Sequence, residues 1–181
     1  MTAEVARDMR RSKTAFESLV WPVVRELIGG GELLSMEDQA HDRLRTLFDT
    51  QTGIDAWQYR DGFGMYGIAS RVQPSHKDWS TFTLRVARNN CTRTEAQKLW
   101  EAVNAGDGRV YPKWFVHAYT TGRSESLLSV GVCETRAVLE CWRSGLGEVR
   151  RCENAEFFAM KWDQMAKAGW TVHIWRATDG R

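Results

Sequence analysis

Gly53 divides two kinds of hydrophobic pattern, and this change of period constrains the fold more than any other feature of the chain. Before it, residues Lys13 to Ile28 place Phe16, Leu19, Val20, Val23, Val24, Leu27 and Ile28 at helical spacing, and Gly29-Gly30-Gly31 stops the run. After it come short extended runs: "GIDAWQY", the turn "RDGFG", "MYGIASRVQ", and "STFTLRVAR", in which Phe82, Leu84 and Val86 alternate with polar residues. The three runs predict a three-stranded meander whose first hairpin folds about Phe63.

Helical spacing returns in "TRTEAQKLWEAV" through Ala96, Leu99, Trp100 and Val103, with Thr92 or Thr94 as cap. That helix is expected to cross back over the sheet. "KWFVHAY" and "LLSVGVC" follow as strands, then a short helix near Arg136 to Trp142, a longer one near Asn154 to Ala168, and a last strand "WTVHIWR". Near the start, Pro22 should kink the first helix or mark a second start within it. A second helix opens at Ser35, where Ser-x-x-Asp with Asp38 resembles a capping box, and runs to about Phe48. The predicted order is α-α-β-β-β-α-β-β-α-α-β, an α/β (α+β) fold with a central mixed sheet flanked by helices.

With 181 residues the chain is in the range of one globular domain, expected over 13–181 behind a flexible basic arm at 1–12. Nine Trp provide large buried surfaces, and with three Pro and no Ser/Gly-rich tract no linker is evident. The Met1 to Arg11 start lacks an apolar signal core, and no run reaches the ~18 apolar residues of a membrane span, so a soluble, cytoplasmic protein is expected. Cys91, Cys133, Cys141 and Cys152 form no Cys-x-x-Cys pair, and His41, His76, His117 and His173 are equally scattered. Reduced, mostly buried thiols fit this pattern better than a zinc site.

Net charge is only +2, but its distribution is uneven. From Gly31 to Asp61 seven acids (Glu32, Glu37, Asp38, Asp42, Asp49, Asp55, Asp61) oppose three bases. From Arg71 to Lys98 the bases Arg71, Lys77, Arg85, Arg88, Arg93 and Lys98 oppose Asp78 and Glu95. An acidic spot beside a basic surface could hold a divalent cation next to a polyanion, and two solvated faces account for the charges equally well.

Asp55 stands where an extended run begins. A hairpin about Phe63 sets it opposite Arg71, with Gln73 on the same face, as a cross-strand ion pair or as a carboxylate ligand for a hard cation. Trp57 and Tyr59 share that face, available for base stacking or for a core.

A helix bearing a glutamate, an aspartate opening a strand, a polar-x-polar motif on the next antiparallel strand and a crossover helix together resemble the PD-(D/E)xK nuclease superfamily, which includes restriction endonucleases and archaeal Holliday-junction resolvases. The resemblance spans approximately residues 13 to 121. It implies a restriction-endonuclease-like sheet and Mg²⁺-dependent hydrolysis of DNA, with Mn²⁺ as a substitute and a homodimer as one option. "GIDA" supplies Asp55 as the metal-binding aspartate, and "FES" supplies Glu17 as the accessory acid. In "SRVQ", Arg71 and Gln73 occupy positions where the superfamily usually has an acid and a lysine. The missing groups are then expected on the crossover helix, as Glu95 and Lys98, which are three apart on one helical face and form an exposed ion pair otherwise.

The implied chemistry assigns Mg²⁺ to Asp55 with Glu17 or Glu95, and the orientation of the attacking water to Lys98 or Gln73. Arg71, Lys77, Arg85, Arg88 and Arg93 would contact the nucleic-acid backbone. A nuclease-like protein that has lost catalysis and binds nucleic acid or a protein partner is the alternative, favoured by Arg71 in place of an acid.

Overall fold

The structure, a computed structural model, describes residues 10–35, 52–89, 93–106, 110–122 and 124–177. The fold is mixed α+β, with a six-stranded sheet, a three-stranded sheet and helices. Helix α1 covers residues 10–27, so residues 10–12 belong to it rather than to the expected arm. Its Phe16–Val20 turn is π-helical and its Trp21–Leu27 part α-helical, with Pro22 in the first turn of the latter. Proline lacks an N–H and crowds the carbonyl four residues back. The wider turn before it, in which the Trp21 N–H reaches the Phe16 carbonyl, answers that constraint.

The strands are β1 (Glu32–Ser35), β2 (Ala56–Arg60), β3 (Gly64–Pro74), β4 (Thr81–Arg88), β5 (Pro112–Thr120), β6 (Leu127–Glu134), β7 (Glu148–Cys152), β8 (Ala155–Lys161) and β9 (Val172–Arg176). Helices α2 (Glu95–Asn104), α3 (Thr135–Arg143) and α4 (Trp162–Lys167) complete the described elements. The large sheet runs β1-β2-β3-β5-β6-β9, antiparallel throughout except for the parallel β3/β5 pair. The small sheet runs β4-β8-β7 and is antiparallel.

Several expectations are corrected. Ser35 ends a strand and pairs with Ala56, and the helix expected from Ser35 to Phe48 lies beyond it, outside the described residues. The third meander strand does not join the second: β4 leaves the large sheet and pairs with β8. The helix expected from Asn154 to Ala168 is strand β8 followed by the short α4, and β7 precedes it. Phe158, Met160 and Trp162 are all buried at alternate positions, a period of two that helix-forming Ala, Glu, Met and Lys obscure.

Each face of the large sheet has its own core. Ile68, Val72, Val116, Ala118, Val130 and Val132 pack under α1 through Phe16, Val20, Trp21 and Val24. The opposite face contributes Ala69, Phe115, Tyr119 and Cys133, which meet β4, β8 and helices α2, α3 and α4. Gly131 sits beneath the buried Trp162 indole, where a Cβ would lie 2.3 Å from a ring carbon. Burial of Cys133 and Cys141 pushes their thiols up, the latter to about 11, which keeps both protonated and unreactive. Cys152 is exposed. Among the described residues no helix is long and apolar enough to cross a membrane.

Candidate nucleic-acid interface

In a regular strand, residues three apart point to opposite faces, so Arg85 and Arg88 should diverge. They do not, because a bulge inserts Val86: Arg85 pairs with Phe157 and Arg88 with Ala155, two residues apart on β8 and therefore on one face. The bulge thus aims both guanidinium groups into a cavity of about 260 Å³ bounded by the start of the β2–β3 hairpin, the end of β4 and the first turn of α2. Its charged lining is Arg71, Arg85, Arg88, Arg93 and Lys98 with Asp55 and Glu95, five cations against two carboxylates.

Thr94 begins α2 with a capping box, in which its hydroxyl accepts the Gln97 N–H and the Gln97 side chain accepts the Thr94 N–H. This fixes the first turn and directs Glu95 toward β4. Glu95 Oε2 accepts from Arg71 Nη2 at 2.8 Å and from the Arg85 backbone N–H at 3.1 Å. Arg71 Nη1 also donates to Thr83 Oγ1 at 3.1 Å. Glu95 thus pairs with Arg71 of β3 in place of the alternative Glu95–Lys98 pair, and Lys98 lines the same cavity.

β4 is an edge strand whose outward N–H groups would be open to another chain. Side chains close this edge: Arg85 N–H goes to Glu95, and Thr83 N–H goes to His117 Nδ1 at 3.1 Å. His117 is fully buried and stacks on Tyr119 with ring centroids 4.8 Å apart. Burial first, and the Arg71 charge second, hold its pKa well below the usual 6.5. Its neutral ring therefore accepts at Nδ1 and carries its proton on Nε2. The unfolded chain takes up that proton below pH 6.5 while the folded one does not, so this contribution to stability is full above 6.5 and declines as the pH falls from there toward the depressed folded value. Chemical denaturation between pH 7.5 and 5 should show a loss approaching ~1.4 kcal/mol per pH unit, and His117→Gln should flatten that slope.

Asp55 is not opposite Arg71. β2 pairs with β3 so that Ala56 faces Ile68, which sets Asp55 opposite Ala69. The hairpin centres one residue earlier than expected, on Gly62, whose φ of +73° suits a glycine turn. The Asp55 N–H donates to the Ile68 carbonyl, and Asp55 Oδ2 accepts the Ser70 N–H at 2.6 Å and its hydroxyl at 3.3 Å. A side-chain carboxylate thereby occupies the place of the next ladder carbonyl.

The structure brings Asp55, Arg71, Arg85, Arg88, Arg93, Glu95 and Lys98 to one cavity, and leaves Glu17, Gln73 and Lys77 outside it. Glu17 belongs to α1, the layer covering the opposite face of the large sheet, and pairs with Lys13 at 3.8 Å. Gln73 lies farther along β3, beside Tyr119 of β5. Lys77 sits in the following loop, 4.8 Å from the centre of the Trp79 ring. Thr83, Thr94 and His117 position the cavity's charged groups without having been singled out for it. Only the Thr94 cap carried a local sequence signal.

Asp55 and Glu95 are the carboxylates of this cavity, and among the described residues no group of three or more His, Cys, Asp or Glu side chains could hold a metal ion, so a Mg²⁺ here would have two carboxylates at most and water or phosphate for its other ligands. The cationic excess around them favours such an ion only together with an anion. No family model matches the chain, nor does any curated protein or solved structure compared with it. Its class is set by fold and site alone: a mixed α+β protein with a cationic cavity where two sheets and a helix N-terminus meet.

Proposed function

We propose that the protein binds the phosphodiester backbone of nucleic acid, DNA in the first instance, with phosphate seated in this cavity. The observation that carries the reading is the convergence of Arg85, Arg88 and Lys98 beside Arg71 and Arg93, which Glu95 and Glu101 respectively engage. Like charges gathered in one concave site are costly by themselves and become favourable when an anion enters. Arginine donors suit phosphate oxygens, and the N-terminal turn of α2 contributes a favourable dipole. If Arg85, Arg88 and Lys98 each neutralise a phosphate, the logarithm of affinity should fall with the logarithm of salt with a slope of about −2 to −3. Titration of labelled oligonucleotides at several salt concentrations measures this. Binding that is absent at low salt, or indifferent to salt, would overturn the proposal.

A second reading, Mg²⁺- or Mn²⁺-dependent hydrolysis of the bound strand, is favoured by Asp55, Glu95 and Lys98 lining the same cavity. The parallel β3/β5 pair, with α2 between those strands in sequence, supports the restriction-endonuclease-like interpretation of the sheet. Asp55 and Glu95 would hold the ion, which when bound polarises a phosphate oxygen and activates water. Lys98 would position that water, and Arg85 and Arg88 would stabilise the charge that builds on the phosphate. Nicking of plasmid DNA with and without the divalent ion tests this reading separately from binding.

A further inference from the structure

The face of the small sheet that carries Arg85 continues away from the cavity. Arg85 of β4, Phe157 of β8 and Arg150 of β7 are paired in one row across the three strands and so share a face. The guanidinium carbons of Arg71 and Arg85 lie 5.3 and 5.4 Å from the centre of the Phe157 ring. Beyond Phe157, Arg150 approaches the Trp79 ring at 5.7 Å, and Lys77 approaches the same ring at 4.8 Å. Lys161 reaches the Trp79 carbonyl at 2.7 Å. Trp79 is 37% exposed.

Resting on the proposal that the cavity seats phosphate, we infer that this face binds a single, unpaired nucleic-acid strand, whose bases stack at Phe157 and Trp79 while its phosphates meet the flanking cations. Cation–ring attraction by itself accounts for one charge over an aromatic face. It does not account for Lys77 and Arg150, drawn from a loop and a strand, over one exposed indole whose backbone carbonyl holds Lys161 as well. Glu148 offsets the Arg150 charge, and a polyanion lying here would meet the remaining positive charge of Lys77 and Lys161. Of the nearby acids, Glu148 accepts from Arg150 at 3.0 Å, while Asp78 accepts the Ser80 N–H and lies 4.0 Å from Arg176. Aromatic rings interleaved with cations on a sheet face suit unpaired bases, whose faces are free, and not duplex bases, whose faces are already stacked.

The face also has a length. The eight residues of β4 separate the Trp79 end from Arg88. At ~3.4 Å per residue this is about 27 Å, the rise of about eight stacked nucleotides.

Labelled oligothymidylates of increasing length and a blunt duplex, titrated against the intact protein, test the inference. Affinity for single strands should rise up to about eight nucleotides and then level off. Trp79→Ala should weaken the eight-nucleotide strand about tenfold and leave duplex binding within twofold, with Trp79→Phe restoring most of the loss. Arg150→Glu, a change on an exposed strand, should weaken the same strand and, through loss of the Arg150–Glu148 pair, lower the melting temperature by no more than about 2–4 °C. If Trp79→Ala and Arg150→Glu bind the single strand as wild type does, or lose single strand and duplex equally, the inference fails while the cavity proposal stands. If wild type binds no oligonucleotide, the cavity proposal itself fails.

Discussion

Reversing Arg85 and Arg88 together to Glu should lower affinity for nucleic acid about 100-fold near ~0.15 M salt, equally for all sequences, and flatten the salt slope by about 2. The bulge at Val86 turns both side chains into the cavity, so the double variant changes its charge by four units at one place. Backbone support should survive, because Glu95 engages the Arg85 main-chain N–H and not its guanidinium. A new carboxylate at position 85 would compete with Glu95 for Arg71, which further reduces the cationic character of the site. Arg25→Glu is the control: this exposed residue belongs to α1 on the far face of the large sheet, and its reversal should alter affinity by less than about twofold. Equal losses in the control and the double variant would mean that binding follows overall charge, and the cavity would lose its role.

Local signals read true where they were strong. Of the two cap candidates Thr94 begins α2, and the three-glycine stop after Ile28 and strand β4 appear where the sequence places them. What failed was pairing, since pairing depends on partners distant in the chain. Phe82 and Leu84 show that β4 has one apolar face, but nothing local shows that the strand pairs with β8 rather than continuing the hairpin sheet. Within "AEFFAMK", Phe157 and Phe158 are adjacent, and adjacent aromatics satisfy a helical and a strand pattern equally. That ambiguity hid β7 and β8, and with them Arg150 and the Phe157 row. A hairpin turn misplaced by one residue was enough to assign Asp55 the wrong partner, because the register sum changes by two for each step of the turn centre. Glu95 and Lys98 were expected beside Asp55 from the resemblance and their shared helical face, and the three line one cavity because the Thr94 cap sets how the first turn of α2 meets β3 and β4.

Asp55 separates the two functional readings, because its structural and chemical duties respond differently to substitution. Its carboxylate holds the Ser70 N–H in the position of a ladder carbonyl. Asp55→Asn keeps an oxygen acceptor there, so the melting temperature should change by no more than about 2 °C. Asp55→Ala removes the acceptor. Since Asp55 is exposed, water can take up much of the vacated bond, and the cost should be near ~1 kcal/mol, or about 2–4 °C in melting temperature. For hydrolysis the order is different. A neutral amide is a poor ligand for Mg²⁺, so both variants should abolish divalent-ion-dependent nicking, Asn as completely as Ala. Binding should show a third pattern: removing one negative charge from a cavity that recruits phosphate leaves affinity unchanged or raises it severalfold in both variants. The decisive comparison is nicking, binding and melting for wild type, Asp55→Asn and Asp55→Ala under the same ionic conditions. Nicking that survives in Asp55→Asn would remove Asp55 from any metal site and leave it the carboxylate that completes the β2–β3 ladder.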